Sequence, residues 1–242
     1  MQESLKQIEA WYSKALAQLL LKAEKQQLDG VLSRLFGYYL LELGGPPDFD
    51  LAAASPIHCR VRAYPEVNSN FPGLNIASRL EDLPFADNAI DVVLLTHVLE
   101  FSDRPQNILQ EVKRVLIPEG YAIIFSFNPS NLWKLPRING RFHRVGVLRQ
   151  WLEKNELSVI NYKSLFFMPF FESSRLQSKL LFLEAVGQLC WPFCGAVNMI
   201  VVKKKRYGVR PIRLSAYAKQ VEIEEGQVIK PTAINPSLLQ KT

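Results

Sequence analysis

A chain of 242 residues, 48% of them hydrophobic, with mean hydropathy near zero, can bury one substantial core and reads as one folded domain with appendages. No apolar run approaches the roughly 20 residues that a membrane-spanning helix needs, and residues 1–11 lack the basic-then-apolar pattern of a secretion signal, so a cytoplasmic protein is expected. The net charge of +6 is concentrated in two acid-free stretches, one from Lys134 to Arg149 with Arg137, Arg141, His143 and Arg144, the other from Lys203 to Lys219; without a nucleic-acid-binding motif these read as solvated loops and tail.

Residues 4–36 read as helical, with Leu5, Ile8, Trp11, Tyr12, Ala15, Leu19 and Leu32 among the apolar positions and a break or a bend expected near Asp29-Gly30. Residues 38–45 read as a first strand ending in a glycine turn, residues 57–61 as a second, and residues 74–77 as a short third. The apolar, β-branched run 89–95 is the pattern of a strand buried on both faces. A helix follows, N-capped by Asp103, with Ile108, Leu109, Val112, Val115 and Leu116 at helical spacing and Pro118 and Gly120 as stop signals. Residues 121–127 are a fifth strand, and two buried strands joined by a helical crossover make a right-handed βαβ unit in a parallel sheet. Residues 144–155 read as a helix, residues 157–166 and 196–203 as a final antiparallel pair, and residues from 208 onward as a polar tail. The organisation expected is thus a helical extension (1–36), a main domain (37–207) carrying an aromatic-rich insertion (165–195), and a basic, polar C-terminal tail (208–242). Cys190 and Cys194 form one isolated CxxxC, too few ligands for zinc, so no metal is expected.

Leu83-Pro84-Phe85, the acidic loop Ala86-Asp87-Asn88, the strand from Ile90, Val98-Leu99-Glu100 and Arg114-Val115-Leu116-Ile117-Pro118-Glu119-Gly120 stand in an order and at intervals that resemble class I S-adenosylmethionine-dependent methyltransferases. The closest likeness is to their type 11 group, which includes quinone-ring methylases. The resemblance implies an α/β fold: a Rossmann-like, mostly parallel sheet with an antiparallel last strand and helices on both faces. In such a sheet a ligand binds beyond the carboxyl ends of the strands, at the switch point between the first and fourth.

By that resemblance Glu42 and Gly44 match the acid and first glycine of the cofactor motif. Glu42, Gly44, Gly45, Arg79, Leu80, Thr96 and His97 are expected to line the S-adenosylmethionine site. The departures are specific. The family's motif is roughly (D/E)-x-G-x-G-x-G, but this chain continues Gly44-Gly45-Pro46-Pro47-Asp48, and proline removes backbone donors. No acid follows the second strand until Glu66, where the family grips both ribose hydroxyls. Arg79 stands where an aspartate reads the adenine, and arginine only donates; Glu81 or Asp82 substitutes if the loop shifts.

Methyl transfer is an in-line displacement in which the protein supplies proximity and alignment, with a base only where the nucleophile loses a proton. His97, just past the fourth strand, is the first base candidate and His143, on the loop after the fifth, the second; a lone histidine is more often structural. The expected function is an S-adenosylmethionine-dependent methyltransferase acting on a small, lipophilic molecule, with peripheral membrane contact as an option for the aromatic insertion. The alternative is a methyltransferase-like binding or scaffolding protein that no longer catalyses. A weaker one is an RNA methylase, resting on the basic stretches.

Overall fold

The computed structural model describes residues 11–46, 48–64, 73–130, 140–167 and 195–206. They fall within one compact unit, Met1–Arg206. Most of the aromatic insertion, the cysteines Cys190 and Cys194, Glu66, Lys134, Arg137 and the tail lie outside the described residues.

Seven strands make one sheet: β1 (Tyr39–Gly44), β2 (Cys59–Tyr64), β3 (Leu74–Ala77), β4 (Ile90–Thr96), β5 (Leu116–Phe127), β6 (Leu157–Leu165) and β7 (Val197–Lys204), in the order β3-β2-β1-β4-β5-β7-β6. The first five run parallel, whereas β7 is antiparallel to both β5 and β6. Strand order reverses between β1 and β4, which sets the ligand end of the sheet at Gly44 and Thr96, partners across that pair.

Side chains alternate across the strands, so the sheet has two apolar faces. On one, Leu40, Val92, Leu94, Ile123, Phe125 and Val201 meet the N-terminal helix α1 (Ala15–Leu32) through Leu20, Leu21, Leu28 and Leu32. On the other, Leu41, Leu43, Val93, Leu95, Ala122 and Ile124 are covered by α2 (Pro105–Val115) and α3 (Val145–Lys154) through Ile108, Leu109, Val112, Leu148 and Leu152. The α/β fold with helices on both faces is the one the sequence led us to expect.

Three local expectations are corrected. Gly30 does not break α1, because its helical position faces open space, where glycine costs only about 1 kcal/mol. Asp103 does not cap α2; the N-cap is Arg104, with Pro105 preset for the first turn and Ser102 Oγ accepting the Arg104 N–H at 3.0 Å. The helix ends at Val115 rather than at Pro118 or Gly120, because Leu116 already pairs with Ile90 of β4 before a bulge re-registers the strands.

Arg114 explains the block of sequence that carried the resemblance. Its guanidinium donates to Leu83 O, Phe85 O, Asp87 and Glu111 at 2.7–2.9 Å, tying the loop before β4 to the last turn of α2. Lys204, counted among the basic tail, instead donates to Lys113 O and Leu116 O at 2.6 Å, satisfying carbonyls at the helix end.

Candidate active site

The glycine turn closes β1. Gly44 and Gly45 have φ of +74° and +88°, a left-handed backbone that glycine adopts without a Cβ penalty. A Cβ on Gly44 would run into Val98 Cγ2 and come within 2.7 Å of Thr96 O. Gly44 is therefore required by the approach of β1 to the loop after β4, whatever else binds there.

Glu42, two residues earlier, lies buried opposite Arg62 of β2 and accepts from its Nη2 at 2.8 Å. Arg62 also donates to Pro46 O and Phe49 O, each at 3.2 Å, so it holds the turn that follows the glycines. Burial outweighs the neighbouring guanidinium and holds the Glu42 carboxyl above the usual carboxylate range. Its other oxygen, Oε1, is buried with no hydrogen-bond partner among the described residues.

Thr96 ends β4, and His97 follows it at φ +53°. The His97 ring is buried, stacked on Phe127 at 3.9 Å between centroids. Its Nε2 lies 2.8 Å from Glu24 Oε1 and its Nδ1 3.9 Å from Glu100 Oε1. Burial alone would strip its proton, but Glu24 and Glu100 outweigh burial and push its pKa up to about 9. At neutral pH it is an imidazolium bridging α1 to the loop after β4, and in that state it accepts no proton. Glu100 Oε1 also accepts the Phe127 N–H at 2.6 Å, binding the end of β5 into the same group.

His143, beside Trp151 with rings 4.7 Å apart, has its pKa lowered by burial, which outweighs the influence of Glu100. It is the neutral imidazole of the two. Arg79 has moved away from these groups: its backbone bridges Asp82, and it lines a cavity of about 270 Å³ with Glu81, Asp103, Arg104 and Asn107. Leu80 is buried among core residues that include Leu41, Ala63 and Leu83.

The structure thus gathers Gly44, Gly45, Thr96 and His97 around the switch point with Glu42 beneath, and leaves Arg79 and Leu80 to one side. Sequence reasoning missed Trp11, Tyr12, Glu24 and Arg62 and used Glu100 only as part of a motif. One signal was readable: Glu24 shares the buried stripe of Ala17, Leu20, Leu21, Leu28 and Leu32 on α1, where a lone carboxylate must find a partner.

The group pairs a positive charge with carboxylates and leaves polar atoms unspent, so it can bind and orient a charged ligand at the carboxyl ends of β1 and β4. The residues fit S-adenosylmethionine at the end that holds its methionine part, through Oε1 of Glu42 and the glycine turn. They fit it less well where Pro46 has no N–H to donate.

The pH dependence of stability follows from His97, whose pKa is raised on folding. Its contribution is fully present below about pH 6.5, the ordinary value, and is lost as pH rises through about 9. Melting temperatures between pH 7 and 10 are expected to fall for the native chain and to fall less for His97→Asn. Parallel curves would show that His97 is not held protonated.

Residues 58–124 match the sequence profile of a family described as "Methyltransferase domain". An uncharacterized protein of Escherichia coli (strain K12), YafS, is 26% identical over 210 residues, covering 81% of each chain. A Thermotoga maritima S-adenosylmethionine-dependent methyltransferase superposes with a TM-score of 0.60 at 18% identity, over 83% of this chain and 95% of its own. A Haloferax volcanii methyltransferase, solved in complex with the Trm112 activator, gives 0.60 at 14% identity, over 84% and 98%. The strand order and the switch point agree with these likenesses: the chain has the fold of the class I S-adenosylmethionine-dependent methyltransferases, and its residues 58–124 match a methyltransferase-domain profile.

Proposed function

We propose that the chain transfers a methyl group from S-adenosylmethionine to a small molecule held at the carboxyl ends of β1, β4 and β5. The observation that carries this reading is the buried, unpaired Oε1 of Glu42 beside a left-handed glycine turn. An unpaired buried oxygen costs roughly 1–3 kcal/mol, and an ammonium group arriving there recovers that cost. When bound, S-adenosylmethionine supplies a methyl group on a sulfonium centre, electrophilic enough to need no metal.

The chain's own residues do the rest. Glu42 takes the cofactor's ammonium, and Gly44 and Gly45 let the backbone come close to it. Trp11 and Tyr12 pack in the same buried cluster as α1 and Phe127, and the Glu24–His97 pair fastens α1 to the end of β4. His97 therefore acts as a positioning residue, and His143, kept neutral, is the candidate that could hold a proton from the acceptor. Aromatic rings at Trp11, Phe127 and Phe142, with centroids 5.5–5.7 Å apart, support an acceptor with an apolar body.

Titration with S-adenosylhomocysteine, followed by calorimetry or thermal shift, tests the proposal. A rise in melting temperature with low-millimolar or tighter affinity is expected. Silence at saturating ligand would favour the second reading, a methyltransferase-like binding protein, for which the Arg62–Glu42 pair is the specific observation: a cation already sits on the motif's carboxylate. The RNA methylase reading loses two of its charges, since Lys204 is spent on helix carbonyls and Lys203 approaches Glu119 at 3.4 Å. Among the described residues no helix is long and apolar enough to cross a membrane.

A further inference from the structure

Three of the exposed large hydrophobic side chains among the described residues stand in four consecutive positions: Phe36 at 77%, Tyr38 at 81% and Tyr39 at 46%. Leu74, Val147 and Ile160 are exposed singly, which is ordinary for a protein surface; a contiguous aromatic patch is not. Nor does the patch sit on a loose turn. The Asp91 carboxylate accepts the N–H groups of Tyr38 and Tyr39 on Oδ2, both at 2.9 Å, and a Cβ on Gly37 would run into the Asp91 side chain. Leu35, buried in the core, anchors the other flank. The connection between α1 and β1 is thus fixed from both sides, while its rings stay in solvent and add little to the core.

Strand register places cations at the same end of the sheet. Leu40 pairs with Val92, Val92 with Tyr121, and Tyr121 with Lys203, so Tyr39 and residues 204–206 share one rim. Three strand spacings, roughly 14 Å, separate β1 from β7 there. The basic run that starts at Lys203 meets no acid before Glu222. Lys203 and Lys204 are spent on Glu119 and on helix carbonyls, but Lys205 and Arg206 are exposed, as is Arg34, two residues before Phe36. Acids of the same rim are already engaged: Asp91 by the two backbone N–H groups, Asp87 by Arg114 at 2.8 Å and Glu156 by Lys113 at 2.7 Å.

Aromatic rings beside unspent cations match the boundary of a bilayer that carries anionic headgroups. Phe36 suits the acyl region, tyrosine hydroxyls stay at headgroup level, and lysine and arginine meet the phosphates. We propose that this rim is a peripheral docking surface for an anionic membrane, made by Phe36, Tyr38 and Tyr39 together with Arg34, Lys205 and Arg206. The cleft at Gly44 and Thr96 lies at the opposite end of β1 and β4. Docking and ligand binding are therefore separate, and docking does not depend on the methyltransferase reading.

Co-sedimentation of the full chain tests the surface, with vesicles of phosphatidylcholine and phosphatidylserine beside vesicles of phosphatidylcholine alone. Binding is expected on the mixed vesicles and about fivefold or more weaker on the neutral ones. Raising the salt from about 0.1 M to about 1 M should release much of it. Phe36→Ser combined with Tyr38→Ser is expected to weaken binding about tenfold or more, whereas Phe36→Trp, which keeps an interfacial ring, should retain it. Lys205→Ala with Arg206→Ala is expected to cost about tenfold on the mixed vesicles. All these positions are exposed, so melting temperatures and S-adenosylhomocysteine binding should match those of the native chain. No sedimentation with mixed vesicles, or equal sedimentation by the double serine variant, overturns the docking surface. Equal binding to neutral vesicles overturns its anionic character. Self-association that the double serine variant loses, without vesicle binding, overturns it in favour of an interface between two copies. Vesicle binding that follows the variants upholds it, whether or not S-adenosylhomocysteine binds.

Discussion

Glu24→Ala is expected to destabilise the domain by about 3–5 kcal/mol, the range for removing one partner of a buried ion pair. At roughly 2–4 °C per kcal/mol for a domain of this size, the melting temperature should fall by about 6–20 °C. The reason is the charge left behind. His97 sits wholly inside, stacked on Phe127, and without Glu24 its imidazolium must either remain buried and poorly paired or lose its proton. Lys25→Ala, on the next residue, is the control: its partner Asp29 lies four residues on and both side chains are partly exposed, so less than about 1 kcal/mol is expected. A cycle with His97→Asn sharpens the test, since asparagine tolerates the positive φ there. The double variant should lose little more than either single one. If Glu24→Ala and Lys25→Ala shift the melting point alike, or if the double loss is additive, the pair is not what fastens α1 to the cleft.

This fastening shows where sequence reading reached its limit. Short apolar, β-branched runs marked the central strands, because these are buried on both faces, Leu40 with Val92 on one and Leu41 with Val93 on the other. The switch point followed from topology alone. Side-chain partners separated by long stretches of chain left no such record. Glu24 and His97 are 73 residues apart, and neither residue's neighbours in sequence name the other. His97 was read as a base from its place after β4, but its protonation depends on Glu24, a carboxylate that only folding brings near. Arg62 was hidden for a different reason: an arginine in a strand reads as a solvent-facing residue, and its burial becomes visible only through register with Glu42. Motif departures were legible, yet not their consequences; Pro46 loses a donor but gains a use, its carbonyl accepting from Arg62.

Glu42→Gln is expected to weaken S-adenosylhomocysteine binding by about tenfold or more, because a hydrogen bond to a charged group is worth roughly 1.5–3 kcal/mol. Stability should change much less, since the amide oxygen can still accept from Arg62. Arg62→Met should do the reverse to the fold. It removes the guanidinium from Glu42, Pro46 O and Phe49 O together, leaves Glu42 as an uncompensated buried carboxyl, and should cost about 3–5 kcal/mol. Converting both residues to methionine removes the unpaired charge and should recover most of that loss while leaving the ligand unbound. Stability and binding are thereby separated on one pair of side chains. Should Glu42→Gln bind S-adenosylhomocysteine as the native chain does, Glu42 exists to neutralise Arg62, and the glycine turn is a structural corner rather than a cofactor cradle. Should binding fall while the melting temperature holds, Oε1 is the atom that the cofactor's ammonium meets, and the cation already in place beneath it tunes that carboxylate rather than replacing the ligand.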